Sequence, residues 1–394
     1  MTTTEKFLVQ CLKCALNKER IKQIPNDIDF KGLYKMSVQH SVVVMVYYAL
    51  EDILPSTPEA FQKNLQIGAL RHIKRDEITK YEQEQVLDLL EENSIDHLPL
   101  KGFYIKDLYP TTEMRFSSDT DILVKPASLK QVHKIFANIG YIKQKEDAHH
   151  DVFYNPTTKT IFEIHKSVFA HDLNKHFTKN FEKAYLIQGK NHLYSYNEND
   201  LYISIIAHYA YHFNQSAGVG LRAVCDIEVM RKAYKGILDE NYINDFFEKC
   251  GLKTFYNEFI KLVDYLFYDM PCDDFTIELA DYLFTCSLLE NKKYSDANTI
   301  VKEESKEASA KSKAIIRKIF PKKEDIYFLY PWIKKVKILL PLGYILRWFK
   351  VIFKTPKRIK VLYSIKEVKK EELEKIKYIK SGLGLGNQKG KKLS

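Results

Sequence analysis

The chain has 394 residues, 45% of them hydrophobic and 13% aromatic, which is ample for the buried core of an ordinary globular protein and excludes a disordered or fibrous one. Its net charge of +10 sits at one end: residues 350–394 carry 14 Lys plus Arg against 4 Asp plus Glu, which leaves 47 of each sign in residues 1–349. A neutral body argues against a dedicated nucleic-acid groove, and with no signal-peptide pattern and no apolar run of bilayer length a cytoplasmic location is expected.

Residues 4–90 read as helices, forming an N-terminal helical region over 1–94. Cys11 and Cys14 form a C-x-x-C, but no second Cys or His pair follows at zinc-ligand spacing, so they read as two residues sharing a helix face. The six cysteines as a set lack a framework spacing and fit free thiols in a reducing compartment. Residues 42–50 are strongly apolar. After the Leu-Pro-Ser-Thr-Pro break at 54–58, the pattern predicts one long charged amphipathic helix over 59–92.

From 95 to 197 the pattern becomes mixed. An apolar stretch ends at Leu100 and meets Lys101 and Gly102, after which Phe103, Tyr104, Ile105 and Leu108 predict a helix opening at the glycine. A strand, a glycine and a helix N-terminus make a phosphate site. Gly102 would let a phosphate approach the backbone, Lys101 would supply charge, and Arg115, Ser117 and Ser118 would complete the cradle.

Asp119 and Asp121 head the run Asp-Thr-Asp-Ile-Leu-Val, which reads as a strand entering a core. Strand side chains alternate, so both carboxylates share one face with Cα atoms ~7 Å apart. That geometry suits hard cations such as Mg2+ or Mn2+, which take oxygen ligands and leave room for phosphate oxygens. A bland reading, a solvated strand edge, competes poorly because Ile122, Leu123 and Val124 bury the strand at once. Residues 126–138 predict a helix with Leu129, Val132, Ile135, Phe136 and Ile139 on one face, closed by Gly140. Asn-Pro-Thr-Thr at 155–158 is turn chemistry, so 151–168 reads as a hairpin in which Ile161, Glu163 and His165 share a face. Glu163 is the candidate third acid of a two-metal site. A last strand is expected near 192–196. The fold class is therefore α+β, a small mixed sheet flanked by N- and C-terminal helical regions.

Lys-Gly, then Arg, then Asp-x-Asp, then Glu resembles the uncharacterised nucleotidyltransferase family of the DNA-polymerase-beta-like nucleotidyltransferase superfamily. The matching residues are Leu-Lys-Gly at 100–102, Tyr-Pro at 109–110, Arg115, Asp-Thr-Asp-Ile-Leu at 119–123 and Glu-Ile-His at 163–165, and the resemblance covers roughly residues 30–230. It implies that Asp119, Asp121 and Glu163 are metal-binding acids, and that Gly102 sits where nucleotide phosphates pass. Better-studied relatives carry a Gly-Ser closer to the first Asp.

Residues 198–318 read as a helical, substrate-side region. His208 and His212 lie one turn apart, without the acid of a zinc site, and read as packing or substrate contacts. Arg222 and Asp226 are four apart and fit a helix pair. A His-bearing helix followed by Arg and Asp recurs in the resembled family, which implies a wall on the acceptor side of the site. Residues 291–311 are expected to be an exposed polar link.

Over 319–394 two readings stand for the apolar, aromatic and basic segment 327–353: a C-terminal helix folded over the core, which is favoured, and a basic helix resting on an anionic membrane surface. The final Gly-Leu-Gly-Leu-Gly stretch reads as a flexible tail.

The expected activity is transfer of NMP, most simply AMP from ATP, to an acceptor that is a small molecule, a protein or a glycan precursor in preference to nucleic acid. The rivals are an Asp-x-Asp sugar-nucleotide glycosyltransferase and a non-catalytic nucleotide-binding or scaffold protein.

Overall fold

The protein is described by a computed structural model covering residues 1–146, 149–168, 181–215, 218–285, 292–301, 307–354, 365 and 367–385. It divides into two compact units, Met1–Ala210 with Val219–Leu289, and Tyr211–Gly218 with Glu290–Ser394. The architecture is α+β with helical flanks, as the sequence predicts.

The first unit opens with α1 (Thr3–Leu16), α2 (Phe30–Gln39) and α3 (Val43–Leu50). α1 starts at a capping box in which the Thr2 hydroxyl and the Glu5 carboxylate each accept from the other's backbone N–H. The long predicted helix is α4 (Glu59–Glu92), with the expected bounds.

The sheet holds β1 (His97–Pro99), β2 (Thr120–Val124), β3 (Ile142–Glu146), β4 (His150–Tyr154) and β5 (Ile161–His165), in the order β1-β2-β5-β4-β3. β2 and β5 run parallel at its centre, and every other neighbouring pair is antiparallel. The hairpin expected at 151–168 is β4–β5. The edge strand β3 was not anticipated, because all five of its residues are exposed and its Ile-Lys-Gln-Lys-Glu run has no apolar alternation. A single-turn helix α5 (Gly102–Ile105) opens at the predicted glycine, and α6 (Leu129–Asn138) follows β2.

One face of the sheet carries the core. Ile122, Val124, Phe153, Phe162 and Ile164 pack against Val86 and Leu90 of α4 and Val132, Ile135 and Phe136 of α6. Phe136 is central, with its ring 4.6 Å from that of Phe153 and 5.5 Å from that of Phe162. Polar ties fix α4 to the same sheet: Gln83 Nε2 donates to Thr120 Oγ1 at 2.8 Å, and Tyr141 Oη donates to Glu82 at 2.5 Å. Alternation then turns Asp121, Glu163 and His165 to the opposite face, away from this core.

A two-stranded ribbon, β6 (Ala184–Leu186) and β7 (Tyr194–Tyr196), comes next. The helices α7 (Glu198–Gln215), α8 (Leu221–Ala233), α9 (Glu240–Lys249), α10 (Lys253–Tyr268) and α11 (Asp274–Thr285) follow. The five described cysteines, 11, 14, 225, 250 and 272, are free thiols.

In the second unit the polar stretch 291–311, where it is described, is not the exposed link expected, since Asp296, Ala297, Asn298 and Ile300 are buried. It forms α12 (Lys292–Val301) and the start of α13 (Glu307–Ile319), in keeping with the helix preference of its Lys, Glu and Ala residues. The unit continues with α14 (Lys323–Leu329), α15 (Pro331–Lys335), α16 (Leu340–Lys354) and a helix over Lys370–Gly382. Residues 386–394, most of the expected flexible tail, lie outside the described residues. Among the described residues no helix is long and apolar enough to cross a membrane.

Candidate active site

The site is built where β1 ends and the chain turns into α5. The Leu100 N–H donates to the Asp121 carbonyl at 2.9 Å, holding the turn against β2. Lys101 then takes φ +52° and ψ −117°, a conformation that costs a non-glycine residue of order 1–3 kcal/mol and persists only where its surroundings impose it. Here the imposed contact is ionic: Lys101 Nζ donates to Asp121 Oδ1 at 2.6 Å.

The parallel register of β2 and β5 sets Asp121 beside Glu163. His165, one alternation further along β5, reaches back so that its Nε2 lies 2.7 Å from the same Asp121 oxygen and 3.6 Å from Glu163 Oε2. His150, opposite His165 on β4, stacks on that imidazole and places Nε2 3.8 Å from Glu163. Asp119 lies just before β2, with Ser117 Oγ donating to its backbone carbonyl at 2.9 Å.

Burial pushes the Asp121 carboxyl upward, but the Lys101 charge and the hydrogen bond with His165 outweigh it and hold the group well below the usual carboxylate range. Glu163 is also held low: burial opposes this, and the His165 contact outweighs it. The His165 imidazole is raised overall, since its bonds to Asp121 and Glu163 overcome desolvation. Asp119 moves the other way, raised by burial and by the charge of Asp121. Two acids are thus held ionised by close partners, while the third is desolvated beside a like charge.

Among the described residues, the group whose ligand atoms converge is Asp121, Glu163 and His165, all within 4.8 Å of one another. Two carboxylate oxygens and one imidazole nitrogen make a donor set that a divalent cation could use, and the nitrogen suits a transition metal better than Mg2+. The buried Nδ1 of His165 has no hydrogen-bond partner. Asp119 lies outside that convergent group. It lines an adjoining pocket with Asp121, Gly102, Arg115 and Ser117, to which Asp76 and Gln83 of α4 also contribute. The pocket therefore gathers most of the expected phosphate cradle beside two of the acids. Ser118 is exposed next to it.

Gly102 is required for a reason the sequence does not show. A Cβ there would lie 1.9 Å from Arg115 Nη1 and 2.7 Å from its Cζ, so the guanidinium lies against the glycine backbone. Arg115 in turn is anchored away from β2: its Nε and Nη2 donate to the two oxygens of Asp226, at 2.8 and 2.9 Å. Asp226 is fully buried on α8 and also accepts from Tyr109 Oη at 2.6 Å and from Tyr209 Oη.

The helix pair expected between Arg222 and Asp226 is not formed by these bonds. Arg222 Nη1 instead donates to the Phe116 carbonyl at 2.6 Å, because the tertiary partner Arg115 takes the Asp226 carboxylate. His208 and His212 lie on α7 and belong to no convergent Asp/Glu/His/Cys group among the described residues. Tyr209 and His150 are residues that sequence reasoning missed, and Tyr109 is named in the resemblance without a role. The Tyr-Pro pair at 109–110 and the adjacent histidines at 149–150 were the available signals.

No curated protein and no solved structure matches the chain. A family model described as an uncharacterised nucleotidyltransferase matches residues 26–268, beyond the 30–230 of the resemblance and across every site residue described above. With more than half of its length matched, the chain belongs to the uncharacterised nucleotidyltransferase family.

Proposed function

We propose that the protein transfers a nucleotidyl group, most simply AMP from ATP, to an acceptor oxygen, with Asp119, Asp121 and Glu163 as the metal-holding acids. The observation that carries this reading is the β2–β5 register, which sets Asp121 beside Glu163 on the face of the sheet away from the core, next to the pocket of Gly102, Arg115 and Ser117. Family membership supports nucleotidyl transfer in general.

In such a reaction the acceptor oxygen attacks the α-phosphorus, the bond to the bridging oxygen of the β-phosphate breaks, and pyrophosphate leaves. A divalent metal, when bound, would neutralise the triphosphate and lower the pKa of the acceptor. The chain's own contributions are local. Lys101 and His165 keep Asp121 ionised. In the alternative to metal binding, Glu163 would accept the acceptor's proton, with His165 and His150 beside its carboxylate. Arg115, anchored on Asp226, presents Nη1 towards the Gly102 turn. The neutral body of residues 1–349 favours a small molecule, protein or glycan precursor over nucleic acid as acceptor.

The Lys101–Asp121 ion pair also supports a second reading, in which the lysine already compensates the acid and the protein binds nucleotide without turnover. Label transfer separates the two. ATP labelled in the α-phosphate or in the γ-phosphate is incubated with Mg2+, the protein and an extract of its source cells, with the Asp119→Asn/Asp121→Asn double variant as control. Label entering a new species from the α position alone, and lost in the double variant, is expected. Transfer of γ label would replace this chemistry with a kinase. Label in no product, with all four NTPs tried, would leave the binding reading and the sugar-nucleotide glycosyltransferase.

A further inference from the structure

The second unit exposes an apolar surface whose surroundings say what it meets. Helix α16 is used on both faces. Its inner face is closely packed: a Cβ at Gly343 would lie 2.5 Å from Ile326 Cγ2 and 2.7 Å from Ile333 Cδ1, so only glycine lets α16 approach α14 and α15 so tightly. On the same side Tyr344 Oη donates to the Pro321 carbonyl at 2.9 Å, while Arg347 and Trp348 Nε1 donate to the carbonyls at the end of α13, at 2.8 to 3.2 Å. These bonds satisfy the orphan carbonyls of α13 and lock the rotation of α16.

That rotation fixes what points outward. Leu342, Ile345, Leu346 and Phe349, at helical spacings of three and four, are 40%, 52%, 37% and 58% exposed. Beside them Trp332 is 45% exposed on α15, and Ile338 is 85% exposed in the turn before α16. Apolar residues in such numbers, on one short stretch, mark an interaction surface.

Charge decides the partner. From Ile326 to Lys354 there are six Lys or Arg and not one Asp or Glu, and Lys334 and Lys350 are exposed beside the apolar stripe. A second copy of the same surface would bring like charges face to face. An anionic lipid surface instead offers acyl chains to the stripe and headgroups to the lysines. Because α16 has 15 residues, about 22 Å of helix against a hydrocarbon core of roughly 30 Å, it lies on a bilayer and does not span it.

We infer that this protein docks on anionic membrane surfaces through the outward face of α16 and the adjoining α15, with the exposed apolar stripe in the interface and the flanking lysines on the headgroups. The docking is a property of the second unit and does not depend on the proposed transfer reaction.

Both tryptophans of the chain, Trp332 and Trp348, lie in this segment, so intrinsic fluorescence reports on it specifically. The full-length protein would be mixed with vesicles of phosphatidylcholine alone, or of phosphatidylcholine with about 30% phosphatidylglycerol, and followed by flotation and tryptophan emission. Flotation with the anionic vesicles and a blue shift of the emission are expected. Raising salt from about 0.05 to 0.5 M should weaken the binding at least tenfold. Lys334→Gln with Lys350→Gln should weaken it by about fivefold per lysine. Leu342→Ser with Ile345→Ser, which changes only outward positions and should leave the circular dichroism unchanged, should remove the blue shift. Absence of flotation with either vesicle overturns the inference. So does binding that neither variant affects, or a vesicle-independent dimer abolished by the serine variant, which would assign the surface to a second copy.

Discussion

Lys101 and Asp226 are the two residues on which the charge balance of the site rests. Lys101 Nζ stands 2.6 Å from Asp121 Oδ1, so any cation held by Asp121 must share that carboxylate with an ammonium. Two like charges about 4 Å apart repel by roughly 4 kcal/mol at the effective dielectric of a protein surface. Lys101→Met is therefore expected to tighten Mn2+ binding at least tenfold, read by the loss of the free-ion paramagnetic resonance signal on titration. Weaker Mn2+ binding in this variant would show that the lysine organises the acid in place of competing for it. Asp226 makes the opposite case. Its carboxylate, fully buried, takes four hydrogen bonds from Arg115, Tyr109 and Tyr209. Removing one partner of such a buried pair costs about 3–5 kcal/mol, since the other charge is left uncompensated. Asp226→Ala should lower the urea unfolding free energy by that amount. A variant within about 1 kcal/mol of the parent, yet unable to transfer label, would instead place Asp226 on the acceptor, as the sequence expectation has it.

At the scale of elements, the turn between β1 and α5 is the most constrained join in the site. Gly102→Ala sets a methyl group on the Arg115 guanidinium, which cannot retreat without breaking its bidentate contact with Asp226. The expected loss is about 1–3 kcal/mol of stability, as for other overpacked positions, and differential scanning calorimetry would show a lowered Tm. An unchanged Tm would mean that the guanidinium moves freely. This join also marks how far the sequence is legible. Elements with strong periodicity, α4, α6, β2 and β5, can be read from it because alternation and helical spacing are written into apolar positions such as Val132, Phe136, Ile122 and Ile164. β3 cannot, because an edge strand with five exposed residues owes its place to hydrogen bonds with β4 and not to burial. The carboxylates were legible as chemistry, but their partners were not. Nothing local in sequence announces that Asp226 meets Arg115 across 111 residues, or that His165 bends to Asp121 across 44. Local spacing favoured Arg222 as the partner of Asp226, and tertiary geometry overrode it.

For the molecule as a whole, the pH dependence of stability follows from histidines buried in the neutral form. His40 is fully buried where the N-terminal helices meet α8, its ring 6.0 Å from that of Phe284, and the Leu221 N–H donates to its Nδ1 at 3.3 Å. Desolvation lowers it to about 4, against an ordinary 6.5, with the backbone of Phe284 opposing in part. Protonation would also turn the Nδ1 acceptor into a donor facing another donor. Above pH 6.5 neither the folded nor the unfolded chain protonates this group, and its neutral form imposes no penalty. Between 6.5 and 4 the unfolded chain binds a proton that the folded chain does not, so stability falls with pH by up to about 1.4 kcal/mol per unit, or roughly 3 kcal/mol across the window. His97 and His72 are lowered by burial and act in the same direction. His165, raised, acts in the opposite one, adding stability below 6.5 that is lost as pH rises through its folded value. Among the described residues three histidines are lowered and one is raised, so acid between pH 6.5 and 4.5 should destabilise the protein. His40→Asn removes one contributor, and urea denaturation at pH 7, 6, 5 and 4.5 should give a slope shallower by about 1 kcal/mol per pH unit than the parent's, whatever the variant's stability at pH 7. Parallel slopes for the two proteins would show that His40 is protonated in the folded state, and that the acid sensitivity of this chain arises from its other titrating groups.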